Sequence, residues 1–302
     1  MYEKKFNVND AISGVLVVDK PVGMTSHEVV QIIRRGTNIR RAGHTGTLDP
    51  RASGVLVILI GPAVRLSEYV SASDKRYQAV IRLGERTDTY DGEGRVTNTS
   101  PLEVTESRFE EELKKFVGEI EQTPPPYSAV KLQGKPAYEK AREGEEVELQ
   151  PRIIHVYSLD ILEWAPPEVT VDVHCSSGTY VRSLAYDLGE KLGCGAYLSG
   201  LRRTKSGRFT LKEAIPLRKL VESFESGGWY NFVIPAAEAL AEWPSITLAN
   251  EQVEAVRHGH RIPAEDRQDQ MVRAITEQGE LVALLEYDPQ TKEYQPRKVF
   301  FS

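Results

Sequence analysis

The sequence predicts an α+β protein whose larger domain contains a mixed, largely antiparallel sheet. Its strand-like and helix-like stretches do not alternate strictly, as they would in a doubly wound parallel sheet. A second observation is the change of pattern near Pro235, after which one short helix and three strand-like runs follow. The length of 302 residues suits one large domain or two. We therefore expect a domain of residues 1–235 and a small, mostly β domain of residues 236–302.

The first part of the chain predicts a strand, a helix and a second strand. The apolar run Val15–Val18 is typical of a short buried strand. Thr25 and Glu28 form a capping-box pattern at the start of a helix that runs to Arg35. The β-branched run Val55–Ile60 lies between two glycines, which predicts a strand in the core.

The middle of the chain alternates apolar and polar residues in two places and contains two helical patterns. Tyr77–Leu83 predicts a strand, and Ser107 opens a helix that ends at Gly118. Val169–Cys175 predicts a further strand. The helix that follows runs from about Thr179 to Leu192 and ends at Gly193, so Arg182 falls in its first turn.

The second domain begins with a short helix. Asn250 is the expected N-cap, and the helix ends at Gly259. Three strand-like runs follow, Met271–Thr276, Leu281–Tyr287 and Arg297–Phe301. This domain is near the lower limit of the sizes that fold alone.

The charge of the chain is unevenly distributed. The total is −6, yet the stretch from Cys175 to Leu220 carries nine basic and three acidic residues, and the first 65 residues are also basic. The stretch from Ala236 to Ser302 has a net charge of −5. Because a polyanion responds to local patches within about 10 Å, the two basic stretches favour a nucleic-acid partner.

Several classes of protein are excluded by composition. The chain has only two cysteines, with no CxxC pair, which argues against zinc and disulfide frameworks and suits the cytoplasm. The longest apolar run is too short to cross a bilayer, and Met1–Asn9 lacks the apolar core of a signal peptide. No P-loop, GxGxxG or HExxH motif is present, so we expect neither a nucleotide cofactor nor a metal.

The segment Arg41–Gly54 is the most unusual stretch. It is rich in glycine, threonine and basic residues, and Asp49 is its only acidic residue. Glycines let a backbone approach a ligand closely, which favours a ligand-binding loop. An ordinary surface turn remains the alternative, since Asp-Pro often begins one.

This loop also carries a family resemblance, together with motifs that extend along most of residues 14–210. The matching blocks are Gly14-Val15-Leu16, Asp19-Lys20-Pro21-x-Gly23-Met24-Thr25-Ser26, Gly43-His44-Thr45-Gly46-Thr47-Leu48-Asp49-Pro50, Ala52-x-Gly54-Val55-Leu56, Lys75-Arg76-Tyr77, Gly84-x-x-Thr87-Asp88-Thr89-x-Asp91-x-x-Gly94, Pro125-Pro126-Tyr127-Ser128-Ala129-Val130-Lys131, Gly134-x-x-Ala137-Tyr138, Gly178-Thr179-Tyr180-Val181-Arg182-Ser183-Leu184 and Leu201-Arg202-Arg203-Thr204. They resemble the bacterial tRNA pseudouridine-55 synthases, the TruB-type pseudouridine synthases. The C-terminal domain is similar to a PUA domain, an RNA-binding module.

The resemblance implies a role for each matching residue. Asp49 matches the catalytic aspartate of the family, and Arg182 the arginine that pairs with it. Tyr77 and Leu201 match the residues on the two faces of the target base. The remaining matches are His44, which helps to displace the nucleotide, and Lys20 and Tyr180, which lie around the pocket. We expect Arg202 and Arg203, the basic residues that follow Leu201, to contact phosphates.

The resemblance also implies a function, with one alternative left open. The family isomerises the T-loop uridine at position 55 of tRNA, without cofactor or metal, so the expected partner is the T arm of tRNA. We also expect a monomer, which the resemblance does not itself imply. A carboxylate at Asp49 can act as a nucleophile or as a base, and the sequence does not separate these roles. The alternative is a non-catalytic tRNA-binding or RNA-remodelling module, which would not need the Asp49 carboxylate.

Overall fold

The computed structural model describes residues 12–128, 131–132, 135–136, 149–265 and 268–300. The predicted strand end at Phe301, the segment Met1–Asn9 and the motif residues Ala129, Val130, Gly134, Ala137 and Tyr138 lie outside the described residues. The helices are α1 Ser26–Thr37, α2 Ser67–Ser71, α3 Glu106–Lys114, α4 Val181–Leu192, α5 Leu217–Glu222 and α6 Asn250–Arg257.

Strands make up much of the remaining structure. They are β1 Gly14–Lys20, β2 Ala42–His44, β3 Ala52–Ile60, β4 Lys75–Leu83, β5 Glu85–Thr87, β6 Val96–Thr99, β7 Gly118–Gln122, β8 Lys131–Leu132, β9 Lys135–Pro136, β10 Arg152–Ala165, β11 Glu168–Cys175, β12 Ala196–Ser206, β13 Phe209–Thr210, β14 Ile215–Pro216, β15 Ile234–Pro235, β16 Ser245–Thr247, β17 Ile262–Pro263, β18 Met271–Ile275, β19 Leu281–Asp288 and β20 Glu293–Val299.

The chain divides into two compact units. Unit 1 comprises Met1–Pro50, Gly54–Ala72 and Ser206–Ser302, and unit 2 comprises Arg51–Ser53 and Ser73–Lys205. Unit 1 therefore combines the N-terminal segment with the C-terminal domain expected from the sequence.

The sheet of unit 1 is mixed. Strand β1 is antiparallel to β3, with Val17 opposite Val57, and parallel to β14. Strand β2 adds to β3 in the antiparallel sense, and β15 adds to β1 in the same way. The apolar residues of β1 and β3 are fully buried, because both faces of these strands are covered.

The C-terminal part of unit 1 forms its own five-stranded sheet in the order β16-β18-β19-β20-β17. Its pairs are antiparallel except for β16 and β18. Val256 of α6 packs into a core with Val272 and Leu285, and Tyr294 of β20 is buried in the same core.

A second core in unit 1 joins this sheet to the N-terminal strands. Val15 and Val57 pack in one cluster with Leu240, Leu284 and Phe300. The C-terminal sheet therefore shares its apolar core with β1 and β3.

Polar contacts run along the same boundary within unit 1. The guanidinium of Arg65 donates to the carbonyl of Val299 at 2.6 Å, and Lys298 forms an ion pair with Glu68. The start of α2, together with the turn before it, is therefore connected to the end of β20 by charged side chains as well as by apolar packing.

Removal of the Phe300 ring is expected to lower the stability of the protein. Phe300 is 8% exposed in the shared core, and truncating a buried phenylalanine to alanine costs about 3–5 kcal/mol. We expect Phe300→Ala to lower the free energy of unfolding in urea by about 3 kcal/mol. The control is Val221→Ala, at an exposed position on α5, which should change it by less than about 0.5 kcal/mol. A Phe300 variant as stable as the control would show that the C-terminal sheet adds nothing to this core.

In unit 2 the strand order is β12-β4-β11-β10-β7. Strands β4, β11, β10 and β7 are antiparallel neighbours, and Tyr77 of β4 lies opposite Val173 of β11. The predicted α+β class with a mixed, largely antiparallel sheet is confirmed.

The predicted helix boundaries are right at some ends and wrong at others. Thr25 forms the expected capping box with Glu28, and Gly193 ends α4 in the left-handed conformation at φ 79°. At α3 the N-cap is Thr105, whose hydroxyl accepts from the backbone of Arg108, rather than a residue at 107. Asn250 is the first residue of α6 and not its cap. These errors at helix starts are one or two residues, because several residue types near a helix start can cap it. The predicted end of α3 at Gly118 is wrong by more, since the helix ends at Lys114 and Gly118 begins β7.

Candidate active site

Asp49 lies in the loop between β2 and β3 and is half-buried. The loop is anchored to α1, because Ser26 Oγ accepts from Leu48 N at 2.8 Å and donates to Leu48 O at 3.0 Å. At its start, the backbone of Thr45 donates to Val57 O at 3.1 Å. These bonds give the residue before Asp49 a defined position, which an ordinary exposed turn would lack.

Lys20 holds the residue that follows Asp49. Its side chain is fully buried, and Nζ donates to the carbonyls of Pro21 at 2.9 Å, Met24 at 2.6 Å and Pro50 at 3.3 Å. A buried ammonium needs such partners, since burial without them is costly. The structure thus brings the predicted pocket residue Lys20 to the Asp49 loop and places a positive charge beside it.

His44 is the last residue of β2 and is half-buried. It lies opposite Ile58 of β3, so its backbone belongs to the sheet that supports the loop. Arg40 and Arg41, just before this strand, have exposed side chains. The N-terminal basic stretch therefore presents at least these two cations to solvent next to His44.

In unit 2, Tyr77 lies near the start of β4 and is 8% exposed. Lys75 is two residues earlier and therefore on the same face of the strand. Burial, with a smaller contribution from the charge of Arg203, lowers the pKa of Lys75 to about 8. The Tyr77 face of β4 thus contains a lysine whose charge is destabilised by its surroundings.

Arg182 lies in the first turn of α4 with its guanidinium buried. Nη1 donates to Asp91 Oδ2 at 3.2 Å, and Nη2 donates to Tyr127 O at 3.1 Å. The ion pair joins two side chains that are 8% and 14% exposed. The sequence placed Asp91 in a motif and assigned it no role; within unit 2 it is the carboxylate that binds Arg182.

The loop around Asp91 is built to present this carboxylate. Asp91 Oδ1 accepts from Thr89 Oγ1 at 2.6 Å and from Glu93 N at 3.0 Å, which leaves Oδ2 for Arg182. Gly94 is required here, because a Cβ at this position would lie 2.4 Å from Thr89 Oγ1. The motif glycine therefore permits a tight turn that fixes the carboxylate.

Strand β12 carries the predicted residues Leu201, Arg202 and Arg203, whereas Tyr180 lies just before α4. Leu201 and Arg202 are half-buried, and Arg202 Nη1 donates to Ser53 Oγ at 3.3 Å. Arg203 is only 2% exposed, whereas a phosphate contact requires an accessible guanidinium. Burial favours a structural role for Arg203, and phosphate binding stays a prediction for Arg202.

In the part of the chain that the structure describes, no three His, Cys, Asp or Glu side chains are grouped so that they could hold a metal ion. No helix in that part is long and apolar enough to span a membrane.

Family models match most of the chain. Residues 34–181 match the N-terminal domain of the TruB family pseudouridylate synthases. Residues 182–232 match the tRNA pseudouridylate synthase B C-terminal domain, and residues 243–301 match the C-terminal model of tRNA pseudouridine synthase II.

Relatives and solved structures agree with these matches. A tRNA pseudouridine synthase B from Thiobacillus denitrificans is 45% identical, over 91% of this chain and 92% of the relative. One from Syntrophotalea carbinolica is 44% identical, over 82% of this chain and 81% of the relative. A crystal structure of a Cbf5-Nop10-Gar1 complex contains a similar chain, with a TM-score of 0.75 and 32% identity, covering 95% of this chain and 85% of that one. A structure of an H/ACA RNP bound to a substrate RNA containing 2′-deoxyuridine gives a TM-score of 0.74 at 30% identity, covering 96% and 85%.

The fold, the anchored aspartate loop and these likenesses define the class of the protein as a pseudouridine synthase, an enzyme that isomerises uridine. Within that class, the chain belongs to the TruB family. The family expected from the sequence motifs is confirmed.

Proposed function

We propose that this enzyme isomerises the T-loop uridine at position 55 of tRNA to pseudouridine, with Asp49 as the catalytic carboxylate. The observation that carries the proposal is the anchored loop that presents Asp49 inside the motif Gly43–Pro50. The relatives named tRNA pseudouridine synthase B support tRNA as the substrate. The reaction takes place in the cytoplasm, where tRNA is processed, and the enzyme acts as a monomer.

The reaction needs a carboxylate and a closed site rather than a cofactor. The bond between N1 and C1′ breaks, the uracil turns, and C5 bonds to C1′. The proton on C5 is then lost and N1 gains one, so the atoms balance and nothing is oxidised. Asp49 serves either as a nucleophile towards the sugar or base, or as the base that takes the 2′ proton.

Three side chains of unit 2 are assigned to the uracil and to Asp49. Tyr77 packs on one face of the base and Leu201 on the other, which retains the detached uracil. The family resemblance implies that Arg182 stabilises the ionised catalytic carboxylate, since a guanidinium in the first turn of a helix favours a negative charge. Tyr180 lines the pocket beside Arg182.

Binding requires the uridine to leave the stacked T loop, which costs a few kcal/mol. His44 assists this displacement. Contacts of Arg40, Arg41 and Arg202 with backbone phosphates offset the cost.

The C-terminal domain contributes little charge to RNA binding. Arg257 is paired with Glu254 at 2.7 Å, and Arg261 with Asp288 at 2.8 Å. Arg297 forms an ion pair with Glu286. These guanidinium groups are partly neutralised by neighbouring carboxylates, in a segment whose net charge is −5. The first 235 residues therefore supply most of the phosphate contacts.

The test is tritium release from an unmodified tRNA transcript labelled at C5 of uridine. The expected result is release of one tritium per tRNA, and loss of release when cytidine replaces the T-loop uridine. A protein that binds the transcript but releases no tritium would be the non-catalytic RNA-binding module instead. Release that persists with the cytidine transcript would place the reaction at another uridine.

Tyr77 is expected to act through its ring and its hydroxyl. Tyr77→Phe should bind tRNA normally but turn over much more slowly, if the hydroxyl handles a proton. Tyr77→Ala should also bind target RNA more weakly, because stacking of a base on an aromatic ring is worth roughly 1–3 kcal/mol. Tritium release and filter binding measure the two effects. Near-normal activity of both variants would show that Tyr77 is only a strand residue.

A further inference from the structure

The backbone of Tyr180, the residue before α4, is held by a buried side chain. Gln122, the last residue of β7, is 1% exposed. Its Oε1 accepts from Tyr180 N at 2.7 Å, and its Nε2 donates to Tyr180 O at 3.0 Å. A single amide thus satisfies both polar groups of Tyr180, as a neighbouring strand would.

Neighbours of Gln122 bind the same short segment. Ser183 Oγ donates to Thr123 O at 2.7 Å. Arg152, which lies opposite Gln122 across β7 and β10, has its guanidinium 4.7 Å from the centre of the Tyr180 ring. The start of α4 is therefore attached to the β7–β10 edge through backbone, ring and hydroxyl.

This attachment controls where Arg182 lies. Tyr180 is extended, with φ −99° and ψ 109°, and the helix begins one residue later. Since Arg182 lies two residues after Tyr180, in the first turn of the helix, a change in the backbone dihedrals of Tyr180 moves Arg182. The guanidinium of Arg182 is buried against Asp91 and Tyr127, so a small rotation would break its hydrogen bonds.

We propose that Gln122 is a positioning residue for pseudouridine formation. It fixes the backbone of Tyr180 and, through the first turn of α4, the guanidinium of Arg182. Gln122 is buried, and its side-chain amide binds the backbone of Tyr180. It therefore acts through Tyr180 and Arg182 and not by contact with the substrate. The inference rests on the proposed roles of Tyr180 and Arg182.

Two substitutions at Gln122 test the role. Gln122→Met keeps the length and removes both hydrogen bonds. We expect its single-turnover rate to fall on the order of 10- to 100-fold, the usual cost of misplacing a catalytic group. Its Kd for tRNA should stay within about three-fold of that of the wild type, because the two lost hydrogen bonds position groups for the reaction and do not bind the tRNA.

Gln122→Glu adds a pH signature. The ionised carboxylate accepts from Tyr180 N but repels Tyr180 O, whereas the protonated acid both donates and accepts, as glutamine does. Burial raises the pKa of such a carboxyl, and the guanidinium of Arg152, opposite Gln122 on β10, opposes that rise. We therefore expect the rate of Gln122→Glu, relative to the wild type at each pH, to recover as the pH falls. The relative rate of Gln122→Met should stay low at every pH.

Thr37→Val is the matched control. Thr37 is 1% exposed, and its hydroxyl donates to Ile33 O at 2.7 Å and accepts from Ile39 N at 3.2 Å. This variant also loses two buried hydrogen bonds to backbone, at the end of α1, so its stability should fall while its single-turnover rate stays normal. All rates are measured below the onset of unfolding of each variant.

The outcomes separate the proposals. A folded Gln122→Met with the wild-type rate would overturn the positioning role, as would a Gln122→Glu variant whose relative rate does not change with pH. A wild-type chain that releases no tritium from tRNA would overturn the proposed function itself.

Discussion

The largest expected loss of activity comes from Asp49→Asn. The substitution keeps the size of the side chain and removes the nucleophile or base, so turnover should fall by roughly 1,000-fold or more. Binding of tRNA should stay within several-fold of the wild type, since Ser26 and Lys20 bind the loop through the backbone of Leu48 and Pro50, which the substitution leaves in place. Tritium release and filter binding measure the two quantities.

Asp160→Asn is the control for this variant. Asp160 is an exposed residue of β10, and the same chemical change there should leave the rate unaltered. Turnover by Asp49→Asn at a tenth of the normal rate or more would contradict the assignment of the catalytic carboxylate.

The second large effect is expected at the ion pair of Asp91 with Arg182. Asp91→Ala removes the buried carboxylate that Arg182 Nη1 binds within unit 2, and breaking a buried pair in this way costs about 3–5 kcal/mol. The unfolding free energy in urea should fall by about that amount. The rate should fall as well, because Arg182 loses the partner that orients it.

A double variant separates the two consequences. In Asp91→Leu with Arg182→Met both charges are absent, so the unfolding free energy should return towards that of the wild type while activity stays lost. Asp88 lies in the same loop, and its carboxylate accepts from the backbone N–H of Arg95 rather than from Arg182. Asp88→Ala therefore removes a carboxylate and leaves the ion pair in place. It should cost less stability than Asp91→Ala. Equal losses of unfolding free energy in Asp91→Ala and Asp88→Ala would show that the fold of the loop, and not the ion pair with Arg182, determines this part of the stability.

The elements that the sequence predicted well are those with a strict local pattern. The capping box of Thr25 and Glu28 and the glycine that ends α4 each depend on a few neighbouring residues. The buried run in β3 is recognisable from its composition alone.

Strands β10 and β12 carried no such pattern and were missed. Register shifts in β10, between Val156 and Ser158 and between Ile161 and Glu163, interrupt the alternation of inward and outward residues. Strand β12 contains a glycine and adjacent arginines, and many of its residues are half-buried, so neither periodicity nor propensity indicates a strand.

The residues of the candidate site were likewise predicted only where a local sequence pattern exists. Asp49, Tyr77 and Arg182 were identified from motifs, since each lies in a block of characteristic neighbours. The roles of Asp91 and Gln122 were not, because each depends on a partner 91 or 58 residues away. A motif specifies residue types along the chain, whereas these hydrogen bonds depend on the pairing of β7 with β10 and on the start of α4.

The sequence by itself determined the family and the class of fold and predicted the residue types of the reaction, since all three follow from local patterns and contiguous motifs. The tertiary structure decided which side chains are buried and what holds them. It buried Arg203, which the sequence had assigned to phosphate. It also packed Phe300 into the core of β1 and β3, and joined Arg65 to Val299 across 234 residues. Such contacts arise only when strand register and core packing bring distant segments together, and a free-energy balance over the whole fold sets that packing.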